Sequence, residues 1–239
     1  MAEHSEKVYV SHLRSKPWND KNLLIPQEVF SVTSMLTHEE KRMLYYLALN
    51  YYSAQGAILD MGSFLGGSTI CFAAALQQRA LDETLIHSYD LFRLGQFELE
   101  NYFKHSPPKD LKTREIFDTN LKNYHSLLQV HEGDILSFSW EKGPIELLFI
   151  DIAKNYKVFD HILLSYLPSL IPSVSLVIMQ DYLWGGSGAW HHVVMEKLSG
   201  YFEYIFDTDI NSVVFFLKKE LPQEILRQCL WGAIPFEEK

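Results

Sequence analysis

Cysteine is scarce in this chain: Cys71 and Cys229 are the only two in 239 residues. Two thiols so far apart build no disulfide framework, and without a C-x-x-C spacing they hold no zinc. Glycine and proline are few as well, 12 and 9, which excludes collagen-like and low-complexity chains. Positive charge is short. Lys plus Arg number 21 against 30 Asp plus Glu, a net charge of −9, and no basic cluster is longer than Lys218-Lys219. Phosphate-backbone binding draws its affinity from basic side chains, so nucleic acid is not expected as the main partner. Long apolar runs are missing too. The oiliest stretch, Ile162 to Met179, is broken by Pro168 and Pro172, and a membrane span needs ~20 apolar residues. The polar start, Met1 to Lys7, lacks the apolar segment of a secretory signal. The expectation is a cytoplasmic chain with neither a membrane nor a nucleic acid as partner.

What is present is a hydrophobic fraction of 47%, enough to build one sizeable core. Short apolar runs at 57–60, 85–90, 127–131, 145–151 and 176–181 alternate with stretches of helical period. Several runs are apolar on both parities, as in parallel strands covered by helices on both faces. Thr37 and Glu40 form a capping-box signature ahead of Met43, Leu44 and Leu47. Ser68 to Gln78 reads as a second helix, and Phe117, Leu121 and Tyr124 space out a third. Phe159, Ile162, Leu163, Tyr166 and Leu167 make an i, i+3, i+4, i+7, i+8 stripe that Pro168 stops, and Trp190, Val194 and Leu198 give another. Such alternation predicts an α/β fold, a doubly wound, mostly parallel sheet in three layers. Tyr201 to Phe206 and Ser212 to Leu217, separated by a turn-rich gap, predict a C-terminal antiparallel hairpin on the sheet edge. Residues 1–35 show no sustained period and are expected to form an N-terminal arm or lid over a single domain spanning 36–239.

Ile58 to Thr69 reads as a buried strand, a glycine turn and a new helix, the first wall of a ligand cleft in such a sheet. The helix N-terminus offers free N–H groups to an anionic part of a ligand. A dinucleotide fingerprint is interrupted, because Phe64 stands where its middle glycine belongs, and Gly67-Ser68 lacks the lysine of a Walker loop. What remains is D-x-G-x-x-x-G over Asp60, Gly62 and Gly66. Asp90 closes the following strand, where a carboxylate can take both hydroxyls of a ribose.

These residues resemble the class I S-adenosylmethionine-dependent methyltransferases, over roughly residues 36–218. The resemblance implies a Rossmann-like sheet of seven strands. It implies that Asp60, Gly62, Ser63 and Gly66 surround the methionine part of the cofactor, together with Phe64 and Ser68 of the same loop. Asp90 would hold the ribose. In Gly133-Asp134-Ile135, Asp134 would take the adenine amino group with Ile135 beside it.

The fourth and fifth strands end in Phe149-Ile150-Asp151-Ile152-Ala153-Lys154 and Ile178-Met179-Gln180-Asp181-Tyr182-Leu183-Trp184. Two carboxylates at adjacent strand tips suit a hard cation such as Mg²⁺, which lowers the pKa of a substrate hydroxyl. This pattern resembles the metal-dependent O-methyltransferases of the catechol, caffeoyl-coenzyme A and macrocin types. By that resemblance Asp151 and Asp181 are metal ligands and Lys154 is the base. Tyr182 stands where one branch has a ligand asparagine. Gln180 stands where another has an acid, and its amide oxygen can still ligate. Lys154 reads equally well as an ion-pair partner of Asp151. His191-His192 opens the next helix and offers either a second base or a helix cap with a solvated neighbour. Tyr182, Trp184 and Trp190 around Gly185-Gly186-Ser187-Gly188 read as an aromatic wall on a mobile hinge, or as ordinary packing.

The function expected is methyl transfer from S-adenosylmethionine to a hydroxyl of a small molecule, assisted by a divalent ion such as Mg²⁺, with Asp151, Lys154, His191 and His192 as catalytic candidates. Two alternatives stand beside it. One is a metal-free N- or O-methyltransferase with a histidine base, and the other a donor-binding protein without transfer activity. The apolar hairpin at a sheet edge leaves room for a homo-oligomer.

Overall fold

A computed structural model describes residues 10–103, 112–184 and 188–235, the side chains of 96–98 excepted. Seven strands form one sheet: β1 (Ala57–Met61), β2 (Ile86–Asp90), β3 (Leu128–Glu132), β4 (Ile145–Ile150), β5 (Leu176–Met179), β6 (Phe202–Asp207) and β7 (Val213–Leu217). Their spatial order is β3-β2-β1-β4-β5-β7-β6. The first five run parallel, and β7 lies antiparallel to both β5 and β6. Every residue of β4 and β5 is buried, which explains why these runs carry no polar alternation.

Successive strand residues point to opposite faces, and the two cores sort by this parity. Ile58, Leu147 and Phe149 pack on one face with Met43, Leu44 and Phe72. Leu59, Leu148 and Ile150 pack on the other with Phe159, Ile162 and Val194. The first face is covered by α1 (Gln27–Ser31), α2 (His38–Tyr46) and α3 (Thr69–Gln78), and the second by α6 (Tyr156–Ser165), α7 (Trp190–Lys197) and α8 (Gln223–Gln228). Two further helices, α4 (Gln96–Tyr102) and α5 (Thr113–Asn120), lie between β2 and β3 in the chain. Three layers result.

The capping box at the start of α2 is complete. Glu40 N–H donates to Thr37 Oγ1 at 3.2 Å, and Thr37 N–H donates to Glu40 Oε2 at 2.8 Å. The other oxygen, Glu40 Oε1, accepts from Ser212 Oγ at 2.6 Å and ties the helix start to the hairpin turn. The expected third helix is shorter than its stripe. It ends at Asn120 and continues as a 3₁₀ turn, Lys122–Leu127.

The described part of the N-terminal region is built into the core. Leu13 and Trp18 are fully buried, and the Trp18 ring lies 4.4 Å from Phe206 between centroids. Lys41 is buried, and its ammonium donates to Val29 O at 3.1 Å and Val32 O at 2.7 Å. Arg14 reaches the outer edge of β6, donating to Tyr204 O at 3.0 Å and Ile205 O at 3.2 Å. An exposed strand edge is a template for pairing, and a guanidinium on its carbonyls blunts it. Gly185, Gly186 and Ser187, the expected hinge, lie outside the described residues.

Candidate active site

The strand order reverses direction at β1, whose neighbours are β2 and β4, so the cleft of this sheet opens above their carboxyl ends. Gly62 follows β1 with φ +100°, and its N–H donates to Tyr89 O at 2.8 Å. A Cβ there would stand 2.8 Å from Ile152 Cγ2 and 3.1 Å from the Asp151 carbonyl, so glycine lets the tip of β4 pass closely. Gly66 also needs a positive φ, +94°, and a Cβ would meet Leu121 Cδ2 at 2.3 Å. Between them Phe64 adopts the left-handed region at φ +49°, an unfavoured place for a bulky residue. Its N–H donates to Asp90 Oδ2 at 2.8 Å, and Phe92 N–H donates to Asp90 Oδ1 at 2.6 Å. Asp90 thus braces two loops while lining the cleft.

That cleft has a volume of about 710 Å³ and is lined by Asp90, Asp134, Ile135, Ile152, Lys154 and Asn155, among others. Asp134 Oδ1 accepts from Leu136 N–H at 3.0 Å, capping a short 3₁₀ turn on the cleft wall. Gly62, Ser63, Phe64, Gly66 and Ser68 are not in the lining. Ser63 and Ser68 are buried, and a Cβ on Gly67 would lie 2.2 Å from Ser34 Cβ, so the N-terminal region packs against the glycine loop. Asp60 is fully enclosed. Ser68 Oγ donates to Asp60 Oδ1 at 2.8 Å and Thr69 Oγ1 donates to Oδ2, which fixes the start of α3 from behind. Burial pushes the Asp60 carboxyl up to about 6 against the lowering pull of these hydroxyls.

A second, smaller cavity of about 60 Å³ adjoins the tips of β4 and β5. Its walls include Asp151, Lys154, Gln180, Asp181, Trp190 and His191. Lys154 lines both cavities. Its Nζ donates to Asp151 Oδ1 at 2.7 Å and to Asp181 Oδ2. Asp181 is not in the strand, because β5 stops at Met179 and Asp181 turns with φ +62°, swinging its carboxylate towards Lys154. Burial pushes the Asp151 carboxyl up to about 7, opposed by the Lys154 ammonium. Burial also acts to lower the Lys154 pKa, but the pull of Asp151 and Asp181 together outweighs it and the net direction is upward.

Asp151, Asp181 and Gln180 do come together as expected, but not as an oxygen cradle for a divalent ion. The Lys154 ammonium stands between the two carboxylates and already takes one oxygen of each. Among the described residues, no group of three or more His, Cys, Asp and Glu side chains is arranged to hold a metal. The expected ligand set therefore does not fit a dication in this arrangement, and the cause is the position of Lys154.

The two histidines separate. His191 is buried and its Nε2 lies 3.0 Å from Ala153 O. A carbonyl only accepts, so Nε2 carries the proton and Nδ1 bears the lone pair. Among the described residues Nδ1 is buried without a partner, as are Gln180 Oε1 and Trp190 Nε1 in the same cavity wall. Burial pulls the His191 pKa down to about 4, so the ring is neutral at pH 7. His192 is exposed, with its ring 4.3 Å from that of Tyr182. The bridging of both carboxylates by Lys154 and the αL turn at Asp181 went unread in the sequence. Asn155 and Arg93 in the cleft wall were also missed. Asn155 had a signal, since an N-cap is expected ahead of the Phe159 stripe, and its Oδ1 does accept from Val158 N–H at 3.1 Å.

Comparison with known proteins bears on the family and the fold. A family profile described as "Methyltransferase domain" matches residues 59–182. The fold is similar to that of the O-methyltransferase NovP, with 15% identity, 92% of this chain and 100% of that one covered, and a TM-score of 0.56. It is similar to that of the calicheamicin methyltransferase CalS11, with 16% identity, coverage of 89% and 92%, and a TM-score of 0.54. An O-methyltransferase from Bacillus cereus, solved in complex with SAH, aligns at 16% identity over 84% of this chain and 94% of that one, with a TM-score of 0.51. A search of curated proteins by sequence finds no match.

Proposed function

Because the chain belongs to the methyltransferase-domain family, of the class I S-adenosylmethionine-dependent type, we propose that it moves the methyl group of S-adenosylmethionine to a hydroxyl oxygen of a small molecule. The observation that carries the reading is Lys154, which lines both the large cleft and the small cavity. A donor in the cleft, with its ribose on Asp90 and its adenine beside Asp134 and Ile135, would direct its sulfonium methyl towards the junction where Lys154 stands. An acceptor entering from the small cavity would meet that methyl there.

A sulfonium is already activated, so the protein has to align donor and acceptor and manage one proton. The Asp151 carboxylate, at the junction, accepts the hydroxyl proton. Gln180 Oε1 and His191 Nδ1, both acceptors without a partner among the described residues, and Trp190 Nε1, a donor without one, are positioned to orient a hydroxylated group. The net charge of −9 favours a small acceptor over a nucleic acid. No step is routed through the divalent ion that the sequence pattern implied, since Lys154 already engages one oxygen of each of its two carboxylates.

Calorimetric titration of the full chain with S-adenosylhomocysteine tests the donor site, with a Kd of about 1–100 μM expected. Absence of binding would overturn the reading at its base. Incorporation of a labelled methyl group into matched hydroxyl and amine acceptors then tests the oxygen assignment. Transfer confined to the amines would refute it.

A further inference from the structure

A positive charge already bridges the tips of β4 and β5. Lys154 Nζ donates to Asp151 Oδ1 at 2.7 Å and to Asp181 Oδ2 from the turn beyond β5, 27 residues further along the chain. The neighbouring positions do not rebuild an ion site around it. The Tyr182 ring is turned into packing, with centroids 4.3 Å from His192 and 5.4 Å from Phe215. Gln180 contributes a neutral amide. An entering dication would find one oxygen of each carboxylate engaged and a like charge beside it. An ammonium has three N–H donors, two of which are used here, so among the described residues one is left for a third oxygen.

We propose that Lys154 is the resident cation of this site, and that it does the work of a divalent ion, so that methyl transfer by this chain needs no metal. The proposal rests on the methyl-transfer reading and deepens it by naming the charge that meets the acceptor oxygen. The step balances without a metal. The acceptor oxygen forms a bond to the methyl carbon as the S–C bond breaks, and the electron pair of that bond neutralises the sulfonium. The hydroxyl proton passes to the Asp151 carboxylate, and S-adenosylhomocysteine leaves. Lys154 keeps its three protons throughout and donates the remaining hydrogen bond to the oxygen as negative charge gathers there. It is a fixed cation, and the base is Asp151.

The test is a Mn²⁺ titration of the full chain, read by the paramagnetic resonance of free Mn²⁺, on the wild type, Lys154→Ala and Lys154→Ser. The Lys154 side chain is 56% exposed, so truncating it opens no core cavity. Circular dichroism checks each fold. The wild type is expected to bind no Mn²⁺ below about 1 mM, and removal of the lysine is expected to tighten binding by at least about tenfold in both variants. Wild-type binding with a Kd below about 100 μM would overturn the proposal. So would no binding in any of the three, because the carboxylate pair would then not be an ion site that lysine fills. A parallel titration with S-adenosylhomocysteine separates the two readings. Its failure in the wild type refutes the donor assignment and leaves the Mn²⁺ comparison readable.

Discussion

Replacing Asp90 by alanine probes two roles at once, and the structure allows them to be separated. Each carboxylate oxygen accepts one backbone N–H, from Phe64 at 2.8 Å and Phe92 at 2.6 Å. Removing both acceptors orphans two half-buried donors. At roughly 1 kcal/mol each, partly relieved by water, the loss is about 2 kcal/mol, or a fall in Tm of roughly 4–8 °C for a chain of this size. If the carboxylate also takes two ribose hydroxyls, donor binding loses two hydrogen bonds to a charged group. Their low end, about 1.5 kcal/mol each, predicts a rise of roughly 150-fold in the Kd for S-adenosylhomocysteine. Asp90→Asn keeps one carbonyl oxygen and presents an NH₂ in place of the other, so an intermediate loss of roughly tenfold is expected. Calorimetry and thermal unfolding on the same samples read the two effects independently. A lowered Tm with a Kd within about threefold of wild type would make Asp90 a loop brace only, and the ribose assignment would be wrong.

Asp60→Asn addresses stability against pH. The folded carboxyl is raised to about 6 from 3.8, so it holds its proton more tightly in the folded state, and stability falls as pH rises through this window. The full loss is about 3 kcal/mol, and it should vanish in the asparagine variant when urea unfolding is compared at pH 4 and pH 7; parallel curves for both proteins would refute the burial argument. Gly66→Ala forces a Cβ to 2.3 Å from Leu121 Cδ2 at a positive φ, whereas Gly143→Ala, at φ +98°, meets nothing within 4 Å. The first should cost about 2–4 kcal/mol and the second about 1 kcal/mol, and equal midpoints in denaturant would show that Leu121 does not constrain the loop. Arg14→Ala frees the Tyr204 and Ile205 carbonyls on the β6 edge, so sedimentation should detect stronger concentration-dependent association than in the wild type. A variant that associates no more than the wild type at any concentration would mean that the edge is protected by other means.

The sheet was legible because its strands are covered on both faces, which left apolar runs punctuated by turn residues, and because a capping box marked the helix ahead of β1 and apolar stripes marked helices that follow β4 and β5. The loop from Gly62 to Gly66 was legible for a steric reason, since both glycines carry positive φ and close approaches. Two things were hidden. The N-terminal region carries short helical pieces, such as Gln27–Ser31, too short to show a period, and its anchor Trp18 packs on Phe206, far along the chain. The arrangement around Lys154 was hidden because it depends on β4 and β5 being neighbours and on the turn at Asp181. The spacing Asp151 to Lys154 signalled one ion pair, and nothing local signalled the second.

Lys154 is a wall of two compartments at once, which has a thermodynamic consequence. A ligand in one compartment that shifts the ammonium relative to Asp151 and Asp181 alters the other compartment by the same displacement. The resulting coupling is reciprocal: whatever factor the methyl donor applies to acceptor affinity, the acceptor applies to donor affinity. Bisubstrate binding to this chain is therefore expected to be cooperative or anticooperative through a single side chain, with a sign set by which occupant leaves the third N–H of Lys154 unsatisfied.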